Sequence, residues 1–347
     1  MLKYIAYYMN EKDGVGAIRS IALYKMLKKS GVDIEMISKD TFGYSGVQNI
    51  ASWIINVLFT LLKSRHDLVY ISCGPFRPLI FIGLICWFCR HRLIVDFRDG
   101  WSVNIASNYG RKEKLNWKNY CSQKIAELIE KNIYKICSAF VVCTPGLKKA
   151  YKNIFGNDEK IYMIVNGHMI PERSHINKRA DINGLKIVCA GKFLDYDSDA
   201  IARLDQFEDK LQKTYGMDVR YTIYFIGTDV PTAEKLEGRS NVVVMPRLSY
   251  SEMVEFLADA DVGLAIIRNE ELDLGTKVFD YIGLGIPIFD WFKEESMFHS
   301  FFKPYLFKDL RKAKEEMPKD GYRFHRKKSL RELLEIIKDF DKRGGCN

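Results

Sequence analysis

From Tyr4 almost to the last residue, apolar runs of strand length alternate with stretches of helix length, and few folds accept that pattern. In the first half the strand-like runs are Tyr4–Tyr8, Asp33–Ser38, Leu68–Ser72, Leu93–Asp96, Phe140–Thr144 and Ile161–Val165. Between them lie a segment with Ile18, Ile21, Ala22, Met26 and Leu27 on one face, then Val47–Lys63, Pro78–Arg90 and Leu115–Ile136. Composition shifts at Pro171–Gly184, which is polar and charged, and the alternation then restarts. Strands follow at Lys186–Ala190, Tyr221–Gly227, Asn241–Met245 and Val262–Ile267, with helices at Asp199–Lys213 and Tyr250–Ala258. A last amphipathic helix, Leu330–Phe340, aligns Leu330, Leu333, Leu334 and Ile337. Strands spaced by helices of this length run parallel, with helices on both faces. The chain therefore reads as α/β, with two tandem doubly wound parallel-sheet domains of Rossmann-like type. They span residues 1–170 and 185–347, the second including the terminal helix, with a linker at 171–184. Ligands of such sheets lie beyond the carboxyl ends of the strands, so a ligand used by both domains belongs in a cleft that they face.

A length of 347 residues suffices for two cores, and 47% hydrophobic with 28% charged residues excludes disordered and fibrous classes. Charge is uneven. Residues 1–170 carry 24 Lys+Arg against 13 Asp+Glu, and residues 171–347 carry 29 against 31. A basic first half suits an anionic partner such as nucleic acid, an anionic membrane surface or a phosphate-bearing acceptor, unless it serves solubility alone. Nucleic acid fits least, because the aromatics are not interleaved with basic residues at stacking spacing. Cys73, Cys137, Cys143 and Cys189 sit in or beside apolar runs, as small core residues do. Cys86-Trp-Phe-Cys89 lies in an apolar run with no second pair at metal-site spacing, so the chain reads as a reduced, cytoplasmic protein. Met1–Tyr8 reads as a strand rather than a secretory signal. Trp53–Leu62 and Pro78–Cys89 are too short to span a bilayer and read as core helices, with shallow membrane contact the lesser alternative.

Chemistry-bearing residues cluster where strands end. Gly275–Phe289 reads GTKVFDYIGLGIPIF: Gly275 opens a short helix, Thr276 and Lys277 lie in its first turn, and Asp280 is one turn on. A helix N-terminus attracts phosphate, Lys277 adds a full charge, and Asp280 is placed to accept from ribose hydroxyls. An ordinary αβ unit with an apolar helix has the same outline. Gly191-Lys192 follows the first strand of the second half, so Lys192 and Lys277 are placed to converge on one diphosphate. Asp13-Gly14-Val15-Gly16 lies between the first strand and the first helix, where Gly14 and Gly16 let backbone approach a phosphate or sugar; the dinucleotide fingerprint is incomplete. Asp96-Phe97-Arg98-Asp99-Gly100-Trp101 follows an apolar strand, either as a structural ion pair or as a cleft-facing patch that binds sugar and phosphate oxygens. His168 has no partner at metal-ligand spacing, and no nucleophile elbow is present.

In their order along the chain these segments resemble glycosyltransferase family 4, enzymes of GT-B architecture. The resemblance rests on Gly14 and Gly16, on Asp96–Trp101 beside the family's Asp-x-Arg-Asp-Pro-Trp, and on Val165-Asn166-Gly167 beside Pro-Asn-Gly. It extends to Gly191-Lys192, to Lys277-Val278-Phe279-Asp280-Tyr281 beside Lys-Leu-Phe-Glu-Tyr, and to Gly285-Ile286-Pro287. It implies transfer of a sugar from a nucleotide-diphosphate donor, with retention and without a cofactor or metal, to a glycan or polyprenyl-linked acceptor. Surface-polysaccharide synthesis, peripheral at the inner membrane face, is the implied setting. The implied catalytic set is Asp99, Arg98, Lys192 and Lys277. Gly14, Gly16, Gly191, Lys192, Gly275, Thr276, Lys277 and Asp280 would bind the donor, and Asp96 and Trp101 the acceptor. Where members carry a first acid, this chain has Leu272, flanked by Glu270, Glu271 and Asp273, and the second acid is Asp280 rather than Glu. A nucleotide-sugar epimerase on the same fold and a non-catalytic sugar-nucleotide-binding partner are the alternatives.

Overall fold

The computed structural model describes residues 1–10, 15–42, 49–110, 115–171, 184–216 and 218–342. The linker 171–184 lies almost wholly outside the described residues, as does Gly14. The chain forms two compact units, Met1–Val165 with Ser329–Asn347, and Asn166–Lys328.

The first unit holds a parallel sheet of six strands: β1 (Leu2–Ala6), β2 (Ile34–Ile37), β3 (Leu68–Ser72), β4 (Arg92–Phe97), β5 (Ala139–Val142) and β6 (Ile161–Met163). Their order is β2-β1-β3-β4-β5-β6. Its helices are α1 (Val15–Lys29), α2 (Asn49–Leu62), α3 (Leu79–Phe88), α4 (Ser102–Ala106), α5 (Trp117–Ile136) and α6 (Pro145–Phe155). The second unit repeats the plan with β7 (Leu185–Ala190), β8 (Tyr221–Ile226), β9 (Val242–Met245), β10 (Val262–Leu264), β11 (Ile288–Phe289) and β12 (Leu306–Phe307). These run parallel in the order β12-β11-β10-β7-β8-β9. Its helices are α7 (Ala200–Tyr215), α8 (Val230–Leu236), α9 (Tyr250–Leu257), α10 (Thr276–Gly283), α11 (Met297–Phe302) and α12 (Leu310–Glu316). The last helix, α13 (Arg326–Lys342), begins in the second unit and belongs to the first from Ser329 onward.

Local chemistry sets the helix starts. Asn116, Thr144, Asp229 and Ser249 accept from the N–H three residues on, opening α5, α6, α8 and α9, and Ser249 with Glu252 closes a capping box. The expected α/β architecture is thus observed in both units. Three expectations change. Gly16 lies inside the first turn of α1 rather than in the loop before it. The buried stripe of α1 is Ala17, Ser20, Leu23 and Leu27, while Ile18 and Ile21 are only half-buried. The apolar face of α13, with Leu330, Leu333, Leu334 and Ile337, completes the core of the first unit beside Tyr4, Tyr70, Ile94 and Val141, not that of the second. Unanticipated elements are α4, α6, α8, α11, α12 and the two-residue β12.

One buried ion pair ties the first unit together. Side chains alternate along a strand, so Asp96 of β4 shares the sheet face of Ile94. There it meets Arg19 of α1, with Arg19 Nε 2.9 Å and Nη2 3.3 Å from the carboxylate oxygens. The Tyr70 phenol donates to the same carboxylate at 2.6 Å, and Arg19 Nη1 donates to the Ile164 carbonyl at 2.9 Å. Asp96 is fully buried and held by Arg19 and Tyr70, which corrects the expectation that its carboxylate lies open to an acceptor. An isolated charge in such a place is far more expensive than a paired one. Asp96→Ala should therefore lower stability by about 3–5 kcal/mol. Arg19→Met with Asp96→Leu should lose clearly less than the two single changes together, in urea denaturation followed by tryptophan fluorescence. Strict additivity would mean that the pair is not coupled.

Candidate functional site

In the second sheet, chain order runs outward from β7 to β9 on one side and from β10 to β12 on the other. β7 and β10 are hydrogen-bonded neighbours, so the order reverses between them. The crevice beyond the carboxyl ends at such a reversal is where doubly wound sheets bind ligands. The loop after β7 brings Gly191 and Lys192 there. Gly191 has φ +106°, and its N–H donates to Ile226 O at 3.0 Å. Asp229, the cap of α8, accepts from Phe193 N–H at 2.8 Å and so pins this loop to the end of the neighbouring strand.

Lys192 is exposed and its Nζ lies 2.8 Å from Asp195, whose hydrogen bond holds the ammonium above its ordinary pKa. Arg268, in the loop after β10, is near enough for its charge to oppose that rise, and its guanidinium stacks 4.7 Å above the Tyr196 ring. Two like charges held close over a crevice are stabilised by an anion placed between them. Arg268 was not among the expected site residues. Its signal was available, because it follows the apolar run Val262–Ile267 directly.

α10 begins as its sequence implies. Gly275 takes φ +65°, and a Cβ there would lie 2.6 Å from Ile267 Cδ1, so only glycine fits without displacement. Thr276 and Lys277 form the first turn and are half-buried. Lys277 Nζ lies 3.5 Å from Asp280 Oδ2 and 2.8 Å from Met253 Sδ. Among the contacts described, Lys192 and Lys277 share no partner.

Asp280 departs from its expected role. Only 4% of it is exposed, and Tyr250 Oη donates to its Oδ1 at 2.9 Å. Burial pushes its carboxyl above the ordinary range, against the pull of Lys277, Tyr250, Arg326 and His168. One of its oxygens is held by Tyr250 and the other faces Lys277. It anchors Tyr250, which also accepts from Met169 N–H at 3.0 Å. Leu272, at the position of the missing first acid, is buried, while Glu270 accepts from Lys293 N–H at 2.9 Å and so fastens its own loop.

In the first unit the Asp96–Trp101 segment divides. Asp96 and Phe97 are core, Arg98 is half-buried and Asp99 is exposed. Trp101 is half-buried with its ring stacked on Phe76, centroids 5.6 Å apart at 6°. The turn is fixed from behind by Glu130 of α5, which accepts from Ser102 N–H at 3.1 Å, from the Ser102 hydroxyl, and from Tyr151 Oη at 2.7 Å. Tyr151 Oη in turn accepts from Trp101 N–H at 3.1 Å. Burial pushes the Glu130 carboxyl up to about 7 despite these donors.

His168 is structural. Its Nε2 lies 2.9 Å from Gly321 O and its Nδ1 accepts from Ile170 N–H, which fixes the neutral Nε2–H tautomer. Its ring meets that of His325 edge-on at 5.2 Å. Burial pushes the His168 imidazole below its ordinary value, and burial with the neighbouring His168 pushes His325 down to about 4.

No family model matches the chain, and no curated protein sequence is significantly similar to it. Solved structures do resemble it in fold. Sucrose-phosphate synthase from Thermosynechococcus elongatus superposes with a TM-score of 0.58 at 11% identity, over 99% of this chain and 97% of that one. The α,α-trehalose 6-phosphate synthase of Burkholderia multivorans gives 0.57 at 12%, over 98% and 95%. The UDP-GlcNAc 2-epimerase of Methanocaldococcus jannaschii gives 0.57 at 13%, over 97% and 99%. The shared feature is the tandem pair of Rossmann-like domains that defines the GT-B fold.

A native pKa of about 4 at His325 implies that the unfolded chain takes up a proton first as pH falls. Stability carried by the neutral ring is present above the unfolded value and is lost as pH falls from about 6.5 to about 4. Wild type should thus lose more melting temperature across that window than His325→Asn does. Parallel losses would show that His325 is not held neutral.

Proposed function

We propose that this protein is a retaining glycosyltransferase that moves a sugar from a nucleotide-diphosphate donor to a glycan or lipid-linked acceptor. The observation that carries the proposal is the pair of exposed cations, Lys192 and Arg268, over the strand-order reversal of the second sheet. Lys277 in the first turn of α10 supports it. When the bond from the anomeric carbon to the diphosphate breaks, negative charge grows on the departing oxygen. Fixed cations and helix N–H groups stabilise that charge more in the transition state than in the ground state. In this reading Lys192, Arg268 and Lys277 do so without a divalent metal. Asp195 now neutralises Lys192 and gives way to the diphosphate. Asp99 and Arg98 meet the acceptor and the transferred sugar, with Trp101 as a stacking wall. Asp96 and Asp280 hold the scaffold instead of touching substrate.

An epimerase is the second reading, because the UDP-GlcNAc 2-epimerase fold fits this chain as well as the synthase folds do. It needs the same diphosphate grip together with a base beside the sugar.

Calorimetric titration with UDP-glucose, UDP-N-acetylglucosamine and GDP-mannose should reveal binding of at least one donor. Lys192→Ala, Arg268→Ala and Lys277→Ala should each weaken it by roughly tenfold or more, as expected for one lost charge-assisted hydrogen bond. No binding, or unchanged binding by Lys192→Ala and Arg268→Ala, defeats the site. Incubating the bound donor without acceptor and following the sugar by NMR separates the two readings: an accumulating epimer sinks the transferase. Binding without turnover over a broad acceptor panel favours a non-catalytic partner.

A further inference from the structure

We propose that the outer face of α2, α3 and α5 is the surface by which this protein lies on an anionic lipid bilayer. The sequences of α2, NIASWIINVLFTLL, and α3, LIFIGLICWF, contain no charged residue. Helices apolar all round are ordinarily buried. These are not. Trp53, Val57 and Leu61 of α2 and Leu79, Ile82 and Cys86 of α3 are buried, but the opposite side of each helix is open and equally apolar. Phe59, Phe81 and Leu84 are more than half exposed, and Trp87 and Phe88 are each 67% exposed. α3 packs against both α2 and α5, closely enough that a side chain at Gly83 would collide with Ile133 of α5. α5 continues the surface with Trp117, Ile125 and Leu128, also more than half exposed. An apolar face spread over three adjacent helices far exceeds the scattered exposure of a soluble surface.

The rim identifies the occupant. Lys63 and Arg65 follow α2, Arg77 and Arg90 flank α3, and Lys118 and Lys135 lie on α5, all exposed. A second copy docked by the same face would set this basic rim against its own image, which like-charge repulsion opposes. An anionic bilayer satisfies both parts: aromatic and aliphatic side chains enter the headgroup–acyl boundary while the cations meet lipid phosphates. Among the described residues no helix is long and apolar enough to cross a membrane, so the contact lies in the plane of the surface. The inference does not depend on the proposed transferase activity, since binding to lipid requires no donor.

The test is flotation of the full chain with vesicles of phosphatidylcholine alone and of phosphatidylcholine with phosphatidylglycerol. Wild type should float with the anionic vesicles, and brominated acyl chains should quench part of its tryptophan fluorescence. The double variant Trp87→Ser/Phe88→Ser should lose roughly tenfold or more in partitioning, and so should Phe81→Ser/Leu84→Ser. Both should keep the wild-type melting temperature, because the side chains removed are exposed. Lys63→Glu/Arg77→Glu should lose anionic-vesicle binding and its salt dependence together. Wild type left in solution with both vesicle types overturns the proposal, as does unchanged flotation of both apolar variants. A dimer that Trp87→Ser/Phe88→Ser dissociates, with no lipid binding by wild type, assigns the face to a second copy instead.

Discussion

A carboxylate removed from water must be met by donors or cations, and that requirement decides which acidic residues of this chain are free for chemistry. Asp96 and Asp280 both sit in segments that resemble sugar-transfer motifs, and both are buried. Asp96 is met by Arg19 and Tyr70, and Asp280 by Tyr250 and Lys277. Each fastens a strand or helix end to its surroundings and so fixes the residues that follow or precede it. Downstream of Asp96, Arg98, Asp99 and Trp101 emerge on a turn held by Glu130 and Tyr151. Beside Asp280, Lys277 is tethered at the start of α10. Both buried acids serve the scaffold, and their neighbours Arg98, Asp99 and Lys277 are the more exposed side chains.

Much of the fold was legible because a parallel sheet covered on both faces demands continuous apolar strands. Leu68–Ser72 is read from the sequence with the same bounds that the structure gives it. What escaped was short or nonlocal. β12 has two residues, too few for any periodicity to register. α6 carries clear start and stop signals, Thr144-Pro145 and Gly156 in the left-handed region, yet it follows its strand so closely that the boundary is hidden. The amphipathic face of α13 was plain, but amphipathicity reports that a face is buried and not what buries it. Only the contacts assign it to the first unit.

The placement of the candidate residues at strand ends was legible, and the burial of Asp96 and Asp280 was not, for one physical reason. Position after a strand places a residue at the binding edge of a doubly wound sheet, so Gly191, Lys192, Gly275 and Lys277 were all accessible to sequence reasoning. Arg268 meets the same criterion and becomes evident once β7 and β10 are seen as neighbours. Strand order is a long-range property, and no motif encodes it. Side-chain direction is equally hidden at the last residues of a strand: Asp96 points into the core by alternation, while Asp99, three residues later on a turn, does not.

The same reasoning explains why α2 and α3 looked like core. A run without charges satisfies the requirement for burial on every side, and the sequence offers no means of telling a helix enclosed by protein from one half enclosed. In the fold, one side of each helix is buried and the other is open. Replacing Phe81, Leu84, Trp87 or Phe88 by a charged residue would leave the buried side of α3 intact, so packing within the unit does not demand their apolarity. A requirement that the fold does not impose must come from what the face meets. The exposed rim of Lys63, Arg65, Arg77 and Arg90 is what the proposed contact with an anionic bilayer would use.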